Sequence, residues 1–203
     1  MKGLYAILDE NNFDFKNIEI VVKQMIDLKI KIFQVRVKSS FSKEIIKAIK
    51  NLQTLCDLNQ CLLILNDNIN LAKELNLDGV HIGSNDIDII TARDILGKKK
   101  IIGVSCYNSF SLALSAELNG ASYVSFGSLY KTSTKLNPVS LDLKTFKKSS
   151  KILKIPICLI GGINTNNVHD VIKLNCDLIA ISKGLSSNSN IKKISKIFYE
   201  KKY

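Results

Sequence analysis

Eight short apolar runs, rich in β-branched residues, recur along this 203-residue chain, and an amphipathic segment follows each one. The runs are continuous and do not alternate with polar residues, which is typical of parallel strands buried on both faces. This pattern predicts strands at residues 4–8, 32–35, 62–65, 79–82, 100–104, 123–126, 157–160 and 178–181.

The segments between these runs space their apolar residues as helices do. They predict helices at residues 18–28, 42–58, 69–75, 89–96, 109–118, 141–149, 166–174 and 191–199, with Ser42 as the N-cap of the longest. Eight βα units favour an α/β fold, a single closed (β/α)₈ TIM barrel over residues 1–203. An open doubly wound sheet is the alternative.

The chain carries 29 Lys and Arg against 18 Asp and Glu, a formal charge of +11. Such a charge attracts polyanions, so a basic nucleic-acid-binding protein is one alternative function. However, the lysines are scattered, the chain has no Trp, and its aromatic residues do not interleave with basic ones as base-stacking platforms do. We therefore expect no nucleic-acid partner.

Cysteine usage and apolar run length indicate the compartment. Five cysteines without a CxxC pair fit reduced thiols better than a disulfide framework. No apolar run approaches the roughly 20 residues that span a bilayer, and the N-terminus lacks a signal-peptide layout. We expect a cytoplasmic protein with no membrane partner, and we leave self-association into a homo-oligomer open.

Polar residues at the carboxyl ends of the strands are the candidate functional residues, because barrel active sites lie there. After the second strand, Gln34, Arg36 and Lys38 share one face at period two. Burying three such groups is costly without partners or a ligand. The pattern favours a binding function over a merely solvated strand end.

Residues with carboxylate side chains follow the next two strands. Asn66 and Asp67 end the third strand, and Asp86 follows the fourth. Each of the three residues could simply cap the helix that follows it. Taken together with Arg36 and Lys38, the two carboxylates indicate a divalent metal that holds a phosphate-type group.

The remaining strand ends carry hydroxyls, glycines and lysines, which suit anions. Loops after strands seven and eight are the usual phosphate site of this barrel class, and glycine lets the backbone approach a phosphate. A solvated loop after the sixth strand, and a glycine needed only for the turn after the seventh, are the alternatives. The candidate residues are Ser105, Thr132, Ser133, Thr134, Lys135, Gly162, Ser182 and Lys183.

Other catalytic classes lack support. The only two histidines are His81, in a strand, and His169, in a predicted helix, so a His-rich metal site and a Ser-His-Asp triad are not expected. The cysteines sit in apolar contexts typical of core residues. No Walker A motif or helix-opening GxGxxG is present, so neither ATP nor a dinucleotide is indicated.

Eight segments occur in the order LYAILD, FQVRVK, LILNDNINLA, LDGVHIGSND, IIGVSCYN, SYVSFGSLYKTSTK, CLIGGI and DLIAIS. This ordered set, at the ends of successive strands, resembles the thiamine phosphate synthase family, which includes the thiazole tautomerases. The resemblance implies a Mg²⁺-assisted transferase. Its phosphorylated substrates would be hydroxymethylpyrimidine diphosphate and a thiazole phosphate, and its products thiamine phosphate and diphosphate.

The resemblance also implies residue roles. It puts the pyrimidine diphosphate on Gln34, Arg36, Lys38, Asn66, Ser105 and Lys135, with Mg²⁺ on Asp67 and Asp86. It puts the thiazole substrate beside Thr132, Ser133 and Thr134, and its phosphate on Gly162, Ser182 and Lys183. The family usually has other residues at Ser84, Tyr107, Ser128 and Lys131, and Val-Ser at Ser182-Lys183. A tautomerase is the alternative enzyme, although it has no diphosphate to hold and does not need the full charged set.

Overall fold

The computed structural model describes residues 1–83, 88–131 and 140–202. Strands and helices alternate along the chain. The strands are β1 (Gly3–Asp9), β2 (Ile32–Arg36), β3 (Leu62–Asn66), β4 (Gly79–Ile82), β5 (Ile101–Tyr107), β6 (Tyr123–Phe126), β7 (Ile157–Ile160) and β8 (Leu178–Ile181). The helices are α1 (Ile18–Asp27), α2 (Lys43–Leu58), α3 (Ile69–Glu74), α4 (Ile89–Leu96), α5 (Phe110–Leu118), α6 (Leu143–Ile152), α7 (Val168–Lys173) and α8 (Asn188–Lys202), with a 3₁₀ turn at Lys183–Leu185.

The strands close into a barrel in chain order. Every neighbouring pair is parallel, and closure comes from β1 pairing with β8, where Gly3 lies opposite Leu178. The predicted (β/α)₈ barrel is therefore confirmed and the open sheet is wrong. The β5–β6 register shifts between Ser105 and Tyr107, where the two strands reach the carboxyl end of the barrel.

Strand side chains divide between two cores because successive residues of a strand point to opposite faces. One set packs between the strands and the surrounding helices, as Leu4, Phe33 and Val124 do. The other fills the barrel interior, namely Tyr5, Ile7, Ile32, Ile64, Tyr123, Cys158, Leu178 and Ala180. Farther toward the carboxyl end, the inward positions become polar, and this change defines the site.

Helix ends follow local capping chemistry. The Ser42 side chain accepts a hydrogen bond from the Ile45 backbone N–H at 3.3 Å, which confirms the predicted cap of α2. α6 begins at Leu143, two residues later than predicted, because Asp142 caps it by accepting from the Lys144 N–H. The 3₁₀ turn after β8 was not predicted.

The five cysteines all lie within the described ranges, are buried, and form no disulfide there. Burial raises the pKa of Cys56 and of Cys106 to about 12, so both remain protonated thiols at neutral pH. They are core residues, as their apolar contexts indicate. Of the helices within residues 1–83, 88–131 and 140–202, none is both long and apolar enough to cross a membrane.

Candidate active site

A buried ion pair joins the ends of β1 and β2. Arg36 pairs with Asp9, whose side chain is fully buried, whereas the Arg36 side chain is 15% exposed. Asp9 also accepts hydrogen bonds from the Asn11 backbone N–H and side-chain amide, both at 3.0 Å. This arrangement fixes the Arg36 guanidinium at the barrel mouth. Sequence reasoning missed Asp9, although it shares the inward face of Tyr5 and Ile7.

A second ion pair joins the ends of β2 and β3. Lys38 pairs with Asp67, and the two side chains are 52% and 28% exposed. Asp67 has a φ of +63°, a left-handed conformation that is uncommon for a residue with a Cβ. Its backbone N–H donates to the His81 carbonyl at 2.9 Å, which ties the turn to β4. The predicted cation and the predicted carboxylate therefore lie together.

Glu10 holds the segment that follows β2. Its carboxylate accepts hydrogen bonds from the backbone N–H groups of Lys38 and Ser39 and from the Ser39 hydroxyl. Burial acts to raise the pKa of Glu10, but the hydrogen bonds from Ser39 and Lys38 outweigh it and lower the pKa below its ordinary value. Glu10 is thus ionised at neutral pH and positions the Lys38 backbone. It too was missed.

A chain of hydrogen bonds crosses the barrel interior beneath these ion pairs. The Gln34 amide nitrogen donates to the Tyr5 hydroxyl at 2.6 Å, and that hydroxyl lies 2.8 Å from the Tyr123 hydroxyl. Tyr123 lies 2.8 Å from Nδ1 of His81, whose Nε2 is 3.0 Å from the Ser105 hydroxyl. We call these five residues the barrel-core chain. It links five strands and ends at the partly exposed Ser105.

Tyr123 is the centre of the barrel-core chain. Burial raises the pKa of both Tyr123 and Tyr5 well above the ordinary tyrosine value, so both hydroxyls keep their protons. The His81 and Tyr123 rings are stacked, with centroids 5.6 Å apart. A Cβ at Gly103 would lie 2.1 Å from Tyr123 Cζ and 2.3 Å from its hydroxyl oxygen. Residue 103 must therefore be glycine, because the Tyr123 ring packs directly against β5 at this position.

Helix α3 corrects one sequence alternative. Neither Asn66 nor Asp67 caps it, because Asn68 is the N-cap and accepts from the Leu71 N–H at 3.0 Å. Asn66 is the last residue of β3 and is buried. It lies opposite His81 in the β3–β4 register. Both predicted site residues on this segment are thus available to the barrel mouth.

The ends of β7 and β8 form a second polar area. Gly161 and Gly162 have φ values of +112° and +64°. A Cβ at Gly162 would lie 2.6 Å from the Lys131 carbonyl oxygen, so the loops after β6 and β7 pack closely there. The Ser182 hydroxyl accepts a hydrogen bond from the Asn12 side-chain amide at 3.1 Å. Lys183 is the first residue of the 3₁₀ turn, and it is exposed.

Several predicted site residues lie outside the described residues, namely Asp86, Thr132, Ser133, Thr134 and Lys135, as does Ser84, where the family usually has another residue. Within the described ranges, no group of three or more His, Cys, Asp or Glu side chains is arranged to hold a metal. Of the predicted metal carboxylates, only Asp67 can be placed. A cation there would need further ligands from Asp86, from water or from a substrate.

Fold and site together define a (β/α)₈-barrel enzyme with charged and polar groups gathered at the carboxyl ends of its strands. The family model described as thiamine monophosphate synthase matches residues 4–185. The chain therefore belongs to the thiamine monophosphate synthase family, and it is a transferase.

Individual relatives agree over most of the chain. It is 37% identical over 192 residues to the thiamine-phosphate synthase of Nitrosococcus oceani, which covers 95% of this chain and 88% of the relative. It is 40% identical over 189 residues to that of Wolinella succinogenes, covering 92% and 86%. The solved thiamine phosphate pyrophosphorylase of Pyrococcus furiosus superposes with a TM-score of 0.85 at 29% identity, covering 97% and 95%.

Proposed function

We propose that this chain joins hydroxymethylpyrimidine diphosphate to a thiazole phosphate, releasing diphosphate and forming thiamine phosphate. The observation that carries the proposal is the pair of cations, Arg36 and Lys38, fixed at the mouth by Asp9 and Asp67. Two oriented cations at the carboxyl ends of barrel strands suit a diphosphate group. The name of the similar proteins from Nitrosococcus oceani and Wolinella succinogenes, thiamine-phosphate synthase, supports the same product.

The reaction breaks the bond between the pyrimidine methylene carbon and the diphosphate oxygen, whose electron pair leaves with diphosphate. The thiazole nitrogen then donates its lone pair to that carbon. No proton has to be removed by a general base, and the His81 ring is already hydrogen-bonded within the barrel. We assign Arg36, Lys38 and Lys135 to the negative charge that grows on the leaving group, because fixed charges stabilise developing charge most effectively.

The pyrimidine end of the substrate would meet the polar groups at the top of the barrel interior. Gln34 and Asn66 are inward-facing and buried, and Ser105 is partly exposed. Amide and hydroxyl groups there would orient the pyrimidine ring and hold the diphosphate. Since the reaction needs little acid–base chemistry, this orientation supplies much of the rate enhancement.

Magnesium fits this donor set. Mg²⁺ commonly takes one or two protein carboxylates and completes its shell with water and substrate phosphates. Asp67 is a partly exposed carboxylate beside the proposed diphosphate cations, and we propose Asp86 as its companion ligand. When bound, Mg²⁺ would neutralise diphosphate charge as a Lewis acid.

The second polar area suits the thiazole phosphate. We propose that Gly162, Ser182 and Lys183 hold this phosphate. In support, left-handed Gly162 keeps backbone close to the opposite loop without a side chain between them. Lys183 adds a positive charge, and we assign the neighbouring thiazole contacts to Thr132, Ser133 and Thr134.

The test is incubation of the purified protein with both substrates and Mg²⁺, followed by measurement of thiamine phosphate and released diphosphate. Lys38→Ala should lower kcat/KM by on the order of 10²-fold, because it removes a transition-state charge contact. Lys173→Ala is the matched control, since Lys173 pairs with Asp170 on an exposed helix and should leave activity unchanged. Isomerisation of a thiazole phosphate without diphosphate release would instead identify a tautomerase and refute the proposal.

A further inference from the structure

The hydrogen bonds of the barrel-core chain run in one donor-to-acceptor direction, and Gln34 determines that direction. The Gln34 side-chain nitrogen facing Tyr5 offers only hydrogens, so the Tyr5 hydroxyl accepts there. Within the described ranges, the other partner of the Tyr5 hydroxyl is Tyr123. Because a buried hydroxyl hydrogen needs an acceptor, Tyr5 donates to Tyr123.

The same reasoning fixes each following bond. The Tyr123 hydroxyl accepts from Tyr5, so its own hydrogen goes to Nδ1 of His81. A neutral imidazole that accepts at Nδ1 carries its proton at Nε2. The His81 Nε2–H therefore donates to the Ser105 oxygen.

We propose that the barrel-core chain holds His81 in its Nε2–H tautomer and thereby turns the Ser105 hydroxyl into a hydrogen-bond donor toward the barrel mouth. In this arrangement Ser105 accepts from His81, and its own hydrogen is directed to an acceptor at the mouth. Tyr123 is a positioning residue because it is fully buried and acts through His81 and Ser105. The nature of the acceptor, a diphosphate oxygen, rests on the proposed function.

The packing around Tyr123 is consistent with a dedicated relay. Its hydroxyl is brought to Tyr5 and His81 together only because β5 carries Gly103, where a Cβ would overlap the Tyr123 ring. The Tyr5 and Tyr123 rings meet edge to face at 78°, with centroids 5.9 Å apart. Each hydroxyl thus has a fixed place between two partners.

The tautomer can be read directly by ¹⁵N NMR of the ligand-free protein, because protonated and unprotonated ring nitrogens resonate far apart. His169 is the only other histidine, and His169→Gln identifies its signals. We expect the proton of His81 at Nε2. A proton at Nδ1 would mean that the Gln34 carbonyl faces Tyr5 and would overturn the proposal.

Gln34→Glu should reverse the chain. Once its carboxyl is ionised, residue 34 offers only acceptor oxygens, so Tyr5 must donate to it and accept from Tyr123, and His81 must donate from Nδ1. The expected result, measured at a pH at which this carboxyl is ionised, is a switch of the His81 proton from Nε2 to Nδ1. An unchanged tautomer in the folded, ionised variant would overturn the proposal.

Tyr123→Phe should break the hydrogen-bonded path between the side chains of residues 34 and 81. Both tautomers of His81 should then be populated, and adding Gln34→Glu should change neither population. Tyr199→Phe is the matched control, since the Tyr199 hydroxyl donates to the Lys29 carbonyl on the outside of the barrel and should leave the tautomer unchanged. Coupling that survives Tyr123→Phe would exclude the relay.

Kinetics then test the consequence for Ser105. Tyr123→Phe should lower kcat about tenfold with little change in the KM for the thiazole phosphate, as expected for one weakened hydrogen bond to the leaving group. An unchanged kcat would overturn the link from Tyr123 to Ser105. If the wild-type protein makes no thiamine phosphate at all, the proposed function fails, whereas the NMR results still decide the direction of the chain.

Discussion

Replacing Asp9 with Ala removes the carboxylate that fixes Arg36. The Asp9 side chain is fully buried and that of Arg36 is 15% exposed, so the remaining guanidinium is left largely desolvated without a counter-charge. Breaking a buried ion pair by removing one partner costs about 3–5 kcal/mol. Because Arg36 retains some contact with solvent, we expect the lower end, about 3 kcal/mol of unfolding free energy.

The assay is urea unfolding monitored by circular dichroism, together with steady-state kinetics. For a chain of this size, a loss of about 3 kcal/mol corresponds to a fall in Tm of roughly 6–12 °C. Asp9→Asn keeps an acceptor for Asn11 but loses the charge, so it should lose about 2 kcal/mol. Both variants should lower kcat/KM about tenfold, since Arg36 is no longer held in one geometry.

Asp170→Asn is the control for a generic loss of an ion pair. Asp170 pairs with Lys173 at 3.1 Å, but both side chains are more than 60% exposed. Exposed pairs contribute little, so this variant should change stability by less than about 0.5 kcal/mol. If Asp9→Ala is as mild as Asp170→Asn, the Asp9–Arg36 pair does not organise the site, and the reasoning is wrong.

Three further outcomes follow from single contacts. Gly103→Ala forces a Cβ to within 2.1 Å of Tyr123 Cζ, so urea unfolding should show a loss of about 2–3 kcal/mol. EDTA should abolish thiamine phosphate formation and added Mg²⁺ should restore it, with Asp67→Asn needing about tenfold more Mg²⁺ for half-maximal rate; full activity in EDTA would refute the metal assignment. Burial raises the pKa of Cys56 and Cys106 from 9.0 to about 12. The contribution of these two protonated thiols to the free energy of unfolding is therefore fully present below about pH 9 and is lost as the pH rises from 9 toward 12. Measured by thermal melts, the stability of Cys56→Ala should fall less steeply across that range than that of the wild type.

The strands could be located from sequence because their cores are continuous apolar runs. The errors fall where polar residues continue an element. β5 runs to Tyr107, beyond the predicted end at residue 104, since inward-facing Ser105 is accommodated at the barrel mouth. α8 begins at Asn188 within a run of Ser and Asn that suggests a loop, and the Ser187 hydroxyl accepts from the Asn190 N–H there.

The candidate residues found from sequence are those whose pattern is local, and the ones missed depend on strand register. Gln34, Arg36 and Lys38 stand out because polar groups recur at every second residue from the end of β2 into the segment that follows it. Asp9 looks like the end of an apolar strand, and its partner lies 27 residues away. Only the β1–β2 register, which places Asp9 opposite Arg36, brings the two charges together.

The barrel-core chain joins stability to function in one structure. Tyr5 and Tyr123 are 118 residues apart and meet only because the barrel is closed. A buried hydroxyl is tolerated only when it is hydrogen-bonded, and each member of the chain supplies a hydrogen-bond partner to its neighbours. Removing the Tyr123 hydroxyl therefore takes one hydrogen-bond partner from Tyr5 and one from His81, and it also releases the tautomer of His81. The packing of the barrel interior and the proposed orientation of Ser105 consequently depend on the same five residues.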